Sequence, residues 1–193
     1  DRLWLRAPEF WAENGVELRL GQAVTAIDPT AKTVTVGGEA LAYDHLALTT
    51  GSTPRQLPAA IGGSLDGVYT VRTLADVDAM RAEFQPERRV IIVGGGYIGL
   101  EAAAVAAKLG LDVTVLEMAP RILQRVASPE TSDYVRSLHQ SQGVKLLEST
   151  GLDRLVGDDR VEAAALKDGR MLPADFVIVG VGITPNTHLA DTA

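Results

Sequence analysis

Residues 90–99 read VIIVGGGYIG, a run of β-branched residues that leads directly into a glycine-rich hexapeptide. The G-x-G-x-x-G spacing is formed by Gly94, Gly96 and Gly99, and the positions between them are Gly95, Tyr97 and Ile98. Between a strand and a helix, this spacing is typical of a dinucleotide site. Its first glycine permits a tight turn, its second lets the backbone approach a pyrophosphate, and its third lets the helix pack closely on the sheet. The free N–H groups at the start of the helix favour phosphate. We therefore expect all six residues to bind a nucleotide.

An acidic residue follows the glycine motif at the distance that this fingerprint requires. Glu117 ends the next predicted strand, 18 positions after Gly99. There a carboxylate accepts hydrogen bonds from the adenine ribose hydroxyls and repels a 2′-phosphate. Arg121 favours NADP instead, because an arginine just past the second strand can hold the extra phosphate of that cofactor. Glu117 occupies the more diagnostic position, so the sequence favours NAD.

The segments around the motif predict a mixed α/β chain. After the glycine loop we predict a helix ending at Gly110, a strand over 111–117, a helix over 129–142, a strand near Val144, a hairpin around 157–159 and a strand over 175–179. Before it we predict a helix over 6–14, strands over 16–20 and 43–50, a hairpin over 23–36, a short strand over 68–72 and a helix over 74–84. The predicted fold class is a three-layer Rossmann-like domain, with a parallel sheet and a β-meander, that follows part of another domain.

The two halves of the chain share a spaced pattern. Gly38, Leu41 and Asp44 recur 131 positions later, and Gly15-Val16 recurs 128 positions later, as Gly169, Leu172, Asp175 and Gly143-Val144. Matching order and spacing indicate duplicated units. The later copy is preceded by a strand, a glycine loop, a helix and a strand, whereas residues 1–14 alone precede the earlier copy. We therefore expect that the first unit lacks its N-terminal part.

The composition excludes several classes of protein. The 193 residues carry 18 Lys and Arg against 25 Asp and Glu, a net charge of −7, which argues against a nucleic-acid or anionic-membrane partner. No apolar run approaches the roughly 18 residues of a membrane span. The chain has no cysteine, and its histidines lack partners at ligand spacing, so we predict no metal site. We expect a cytoplasmic protein.

Five stretches resemble the FAD-dependent NADH:ferredoxin reductases that serve Rieske oxygenases and bacterial cytochromes P450. They are TTGSTPR (49–55), VRTLADVDAMR (71–81), VIIVGGGYIGLEAAAVAAKLG (90–110), LEMAPRILQRVASPE (116–130) and GVGITPN (180–186). The resemblance covers the middle of such enzymes, without their first glycine motif and their C-terminal interface domain. It implies that residues 1–60 are part of an FAD-binding domain, 61–87 a connector with a short helix, and 88–193 an NAD-binding domain.

The resemblance also implies roles for individual residues. It places FAD contacts at Val24, Thr50, Gly51 and Arg72. Glu101 matches an acid near the point of hydride delivery, Tyr97 matches an aromatic residue that covers the nicotinamide pocket, and Gly182 lies in the loop that passes the nicotinamide. In the parent enzyme hydride passes from NADH to FAD, and electrons then pass to a [2Fe–2S] ferredoxin.

Other interpretations stay open on the sequence alone. One is an NAD(H)-binding module without turnover, and another is a reductase of the same superfamily whose acceptor is rubredoxin, oxygen or nitrite. We expect no full occupancy by FAD in this chain, because the first glycine motif is missing from it. We also expect residues up to Gly51 to be poorly ordered or to be stabilised in a homodimer.

Overall fold

The computed structural model describes residues 4–193; the first three residues of the predicted domain 1–60 lie outside the described residues. Within the described part, the helices are α1 (Pro8–Glu13), α2 (Leu74–Met80), α3 (Tyr97–Lys108), α4 (Pro129–Ser141) and α5 (His188–Asp191). The strands there are β1 (Val24–Asp28), β2 (Thr33–Val36), β3 (Glu39–Ala42), β4 (Ser52–Pro54), β5 (Val68–Thr70), β6 (Arg89–Val93), β7 (Asp112–Leu116), β8 (Lys145–Leu147), β9 (Leu152–Val156), β10 (Ala163–Leu166), β11 (Met171–Pro173), β12 (Phe176–Val179) and β13 (Ile183–Pro185). No helix over residues 4–193 is both long enough and apolar enough to cross a membrane.

The described residues divide into two compact units. One, unit 1, contains the residues up to Gly51 together with Pro185–Ala193. The other, unit 2, contains Ser52–Thr184. Unit 2 holds the glycine motif.

A five-stranded parallel sheet forms the centre of unit 2, in the order β5-β12-β6-β7-β8. Its central strands are continuous apolar runs because both faces of the sheet are covered. In β12 all four residues, Phe176–Val179, are buried, and in β6 the four residues Val90–Val93 are buried. Because β12, β6 and β7 pair in parallel, their carboxyl ends lie at one edge of the sheet.

Three layers enclose the core of unit 2. On one face of the sheet, Ala103 and Ala106 of α3 pack against a cluster that includes Val90 and Ile92. On the other face, the antiparallel meander β9-β10-β11 packs Leu155 and neighbouring residues against a cluster that includes Ile91 and Val93. Successive residues of β6 therefore face opposite layers, as the two-residue period of a strand requires. The predicted Rossmann-like fold class, with its parallel sheet and β-meander, is confirmed.

Unit 1 contains a second antiparallel meander, β1-β2-β3. The predicted hairpin over 23–36 is confirmed, with Ala26 opposite Thr35 and Asp28 opposite Thr33. Strand β1 corresponds to β9 at an offset of 128, and β3 overlaps β11 at an offset of 131. The spaced pattern in the sequence thus coincides with two meanders of the same topology.

Two predicted strands of unit 1 are wrong. Residues 16–20 and 43–50 lie in irregular backbone and turns. Residues 16–19 match 144–147, which contain β8, and residues 45–48 match β12. In unit 2 these two strands pair with β7 and β6. The described residues of unit 1 provide no counterpart of β6 or β7, and a strand requires a partner for its backbone groups.

Candidate nucleotide-binding site

The carboxyl edge of the parallel sheet brings three predicted segments together. Gly94 follows β6 and donates its N–H to Leu116 O at 2.8 Å, at the end of β7. Gly180 follows β12 and donates to Val93 O, also at 2.8 Å. The glycine loop, Glu117 and the loop of Gly182 are therefore neighbours at the edge where open α/β sheets bind ligands.

Three of the four loop glycines are required by protein packing. A Cβ on Gly94, whose φ is +115°, would collide with the carbonyl oxygen of Gly180, and one on Gly99 would collide with the carbonyl oxygen of Gly94. A Cβ on Gly95 would lie 2.8 Å from Ile122 Cγ2. These glycines make the tight turn and the close helix–sheet packing that the spacing predicts.

Gly96 differs from the other loop glycines. It has an ordinary φ of −85° as the N-cap of α3, and a Cβ built on it meets no heavy atom within 4 Å. The first hydrogen bond of α3 runs from the N–H of Leu100 to Gly96 O. The N–H groups of Tyr97, Ile98 and Gly99 therefore have no acceptor within the helix. Open space next to free donors and a helix N-terminus fits a pyrophosphate.

Both carboxylate oxygens of Glu117 are fixed by backbone donors. Oε2 accepts the N–H of Gly95 at 2.8 Å, and Oε1 accepts the N–H of Ala119 at 2.7 Å. A carboxylate has about four lone-pair positions, so two stay available for ribose hydroxyl groups. The acid and the glycine loop thus form one hydrogen-bonded cradle.

Arg121 is engaged away from this cradle. Its Nη1 donates to the hydroxyl of Ser132 at 2.6 Å, and its Nη2 donates to Gln124 O at 3.1 Å. Ser132 is fully buried in α4. These bonds connect the segment after β7 to α4. Arg121, which by its position in the sequence favours NADP, thus has a structural role.

The contacts that hold the middle of the glycine loop are not predicted by the sequence motifs. The N–H of Leu123 donates to Gly95 O at 2.9 Å, and Leu123 has a φ of +55°. Glu148, directly after β8, accepts the N–H of the buried Ile122 at 2.7 Å. An acid after the third parallel strand is a readable signal, because that strand ends at the same edge of the sheet.

The other predicted site residues of unit 2 differ in their solvent exposure and in their hydrogen bonds. Tyr97, the first residue of α3, is 59% exposed. Glu101 is the fifth residue of α3 and is exposed. Gly182 has a φ of +114°, with no heavy atom near its Cβ position, and accepts the N–H of Arg55. Arg72 is exposed and donates from Nε to Ser52 O at 3.0 Å.

Unit 1 brings two of the predicted FAD contacts to one cavity of about 470 Å³. Val24 and Thr50 line it together with apolar side chains such as Leu46 and Leu48. The Thr50 hydroxyl donates to Asn186 O at 2.6 Å, and Gly51 adopts a φ of +72°. The positive φ accounts for a glycine at position 51.

Comparison with known proteins places this site in a family. The family model for pyridine nucleotide-disulphide oxidoreductases matches residues 8–193. The chain is 44% identical over 190 residues to the 5,5′-dehydrodivanillate O-demethylase ferredoxin reductase subunit of Sphingobium sp., covering 97% of this chain and 46% of the relative. It is 40% identical over 199 residues to putidaredoxin reductase of Pseudomonas putida, covering 100% of this chain and 47% of the relative.

A solved structure gives the same result. The crystal structure of the covalent putidaredoxin reductase–putidaredoxin complex matches with a TM-score of 0.86 and 39% identity, over 97% of this chain and 46% of that chain. The chain thus spans about half the length of the curated relatives it matches. By sequence, fold and the geometry of its glycine loop, the chain belongs to the pyridine nucleotide-disulphide oxidoreductase family.

Proposed function

We propose that unit 2 binds NADH, with the pyrophosphate on Gly94–Gly99 and the adenine ribose on Glu117. The observation that carries this proposal is the contrast at the glycine loop, where Gly96 alone faces open space. Packing explains the other loop glycines, whereas a ligand explains Gly96. The family uses FAD and NAD(P)H, which agrees with a nucleotide at this position.

We further propose that the chain supplies the central part of an NADH:ferredoxin reductase. In such an enzyme a bound flavin accepts hydride from NADH, and a [2Fe–2S] ferredoxin takes up the electrons. The relatives named as ferredoxin reductases, and the solved complex with putidaredoxin, support this assignment. In this proposal residues 1–60 belong to the FAD-binding domain, 61–87 connect, and 88–193 bind NAD.

The proposal also assigns roles to the remaining predicted residues. Glu101 and Tyr97 on α3 act near the nicotinamide, and Gly182 lets that ring pass close to the backbone. Val24, Thr50, Gly51 and Arg72 contact FAD. A cytoplasmic location and a ferredoxin as the electron acceptor are part of the same proposal.

The test is the nucleotide preference of the 193-residue chain. We expect NADH to bind more tightly than NADPH by about tenfold, because Glu117 faces the position of the 2′-phosphate and a like-charge contact costs on the order of 1–3 kcal/mol. In Glu117→Ala the two dissociation constants should approach each other, as measured by calorimetric titration.

Asp112→Asn is the matched control, because it removes a carboxylate from the opposite end of the same strand, β7. It should leave both affinities within about twofold of the native values. Equal affinities of the native chain for NADH and NADPH would contradict the assignment of Glu117. No binding of either nucleotide would contradict the proposed site.

A further inference from the structure

We propose that Glu148, held by Arg136, is a positioning residue for the adenosine half of the nucleotide site. It touches no nucleotide in this proposal and acts through the backbone of the segment 121–128. The inference rests on the proposed function, because it assigns the residue that holds the NADH cradle in shape.

As a first step, Glu148 contacts the segment 121–128 at Ile122. Glu148 Oε1 accepts the N–H of Ile122 at 2.7 Å. Ile122 is fully buried, and its carbonyl accepts the Ser132 hydroxyl at 2.8 Å. Both backbone groups of one buried residue are thus satisfied by side chains from outside the segment. A buried N–H that loses its acceptor keeps the full cost of its desolvation.

The second step leads from Ile122 to the glycine loop. Ile122 Cγ2 lies 2.8 Å from the position that a Cβ on Gly95 would occupy, and the next residue, Leu123, donates its N–H to Gly95 O at 2.9 Å. The N–H of the same Gly95 donates to Glu117 Oε2. Both backbone polar groups of Gly95 are therefore hydrogen-bonded. Its N–H donates to Glu117, which follows β7, and its carbonyl accepts from Leu123, the residue after the one that Glu148 contacts.

The third step concerns the left-handed backbone of Leu123. A φ of +55° is unfavourable for leucine and persists where the surroundings impose it. Leu123 is 5% exposed and packs with Leu100 of α3 and with Ile122. The Glu148 carboxylate fixes the Arg121–Ile122 peptide, one peptide unit before the Ile122–Leu123 peptide that leads into this strained residue. Removal of the carboxylate therefore releases the backbone next to Leu123.

The fourth step is the partner of Glu148. Arg136 of α4 donates from Nε to Oε2 and from Nη2 to Oε1, both at 2.9 Å. This two-point pairing fixes the direction of the carboxylate. The side chains are 24% and 20% exposed, so the pair is partly shielded from water. Arg136 thus orients the Glu148 carboxylate toward the Ile122 N–H.

The experiment compares Glu148→Ala with Asp175→Ala in the full chain. Asp175 is a close match, since it accepts a backbone N–H, from Arg89 at 2.7 Å, and also a two-point pairing from the Arg89 side chain. It lies at the amino edge of the sheet, before β12, away from the glycine loop. Both variants lose the same kind of interaction, and the expected differences are in nucleotide binding and in amide hydrogen exchange at the glycine loop and the segment 121–128.

We expect Glu148→Ala to raise the dissociation constant of NADH about tenfold and to reduce the preference for NADH over NADPH. Asp175→Ala should leave both within about twofold. Amide hydrogen exchange of Ile122, Leu123 and Gly95 should become faster in Glu148→Ala and stay unchanged in Asp175→Ala. Glu148→Gln keeps an oxygen acceptor, so it should recover part of the affinity. If Glu148→Ala does not fold, Arg136→Gln is measured in its place and should shift the same quantities in the same direction.

Native affinity and native exchange in Glu148→Ala would overturn the inference, as would equal losses in both alanine variants. A native chain that binds no NADH would instead contradict the proposed function. These results are distinguishable because the exchange measurement needs no nucleotide.

Discussion

At the scale of single residues, Glu117 is held before any nucleotide arrives. The N–H groups of Gly95 and Ala119 fix both oxygens of its carboxylate. A side chain that is already oriented loses little conformational entropy when a ribose binds, so more of the interaction energy appears as affinity. The same two bonds couple the ribose position to the shape of the glycine loop.

The loop glycines allow packing and ligand binding to be separated by single substitutions. Gly96→Ala should keep most of the stability of the chain, because its Cβ enters open space at an ordinary φ, with at most about 1 kcal/mol lost at the N-cap. It should raise the dissociation constant of NADH by about tenfold or more, because the added methyl group occupies the pyrophosphate position.

Gly99→Ala is the matched comparison within the same loop. Its Cβ would collide with Gly94 O, so the free energy of unfolding should fall by about 1–3 kcal/mol. Urea denaturation and nucleotide titration of both variants separate the two effects. Tight NADH binding by Gly96→Ala would contradict the proposed position of the pyrophosphate.

At the scale of elements, the five strands of the parallel sheet in unit 2 follow from the sequence, whereas the strands of unit 1 do so only in part. The apolar run and the adjacent glycine loop predict strand β6, and the turn residues around 157–159 predict the hairpin of β9 and β10. The segments 16–20 and 43–50 carry comparable apolar patterns, yet they form no strand. A pattern predicts which segments can pair, whereas a neighbouring strand decides whether they do.

An ion pair between Arg89 and Asp175 joins the amino ends of β6 and β12, and the charge of Asp175 depends on pH. Hydrogen bonds from the Arg89 side chain lower the pKa of Asp175 from 3.8 to about 2, although burial acts in the opposite direction. A lowered pKa in the folded state means that the contribution to stability is complete above about pH 4. That contribution is lost as the pH falls toward about 2.

We therefore expect the free energy of unfolding to fall more steeply over this window in the native chain than in Asp175→Asn. The difference should be at most about 2 kcal/mol, because Arg89 is partly exposed to solvent. Urea denaturation at several pH values measures it. Parallel pH profiles of the two proteins would contradict the assigned ion pair.

At the scale of the whole molecule, we expect the 193-residue chain to contain little FAD. The described helices of unit 1 are α1 with six residues and α5 with four, and neither follows a G-x-G-x-x-G loop. The pyrophosphate of FAD then lacks a helix N-terminus of the kind that α3 offers in unit 2. Visible absorbance of the purified chain measures flavin content, and one flavin per chain would contradict this prediction.

Unit 1 also leads us to predict self-association. Val16, Leu18, Leu20, Leu46 and Leu48 are between 39% and 80% exposed. Exposed large apolar side chains of this kind favour association with another chain. Light scattering should therefore detect a homodimer, and Leu20→Lys with Leu48→Glu should shift it toward the mass of one chain, 20.4 kDa. A native chain that is monomeric at every concentration would contradict this prediction.

The sequence by itself determined the fold class, the strands of the parallel sheet in unit 2, the glycine loop and the acid after β7, because each depends on local spacing and periodicity. The tertiary structure decided which predicted strands form, since pairing partners lie far apart in the chain. It also decided that Arg121 bonds to Ser132, and that Ile122, Leu123 and Glu148 hold Gly95. Such contacts join the ends of different strands, and their geometry exists only after the parallel sheet has brought those ends to one edge.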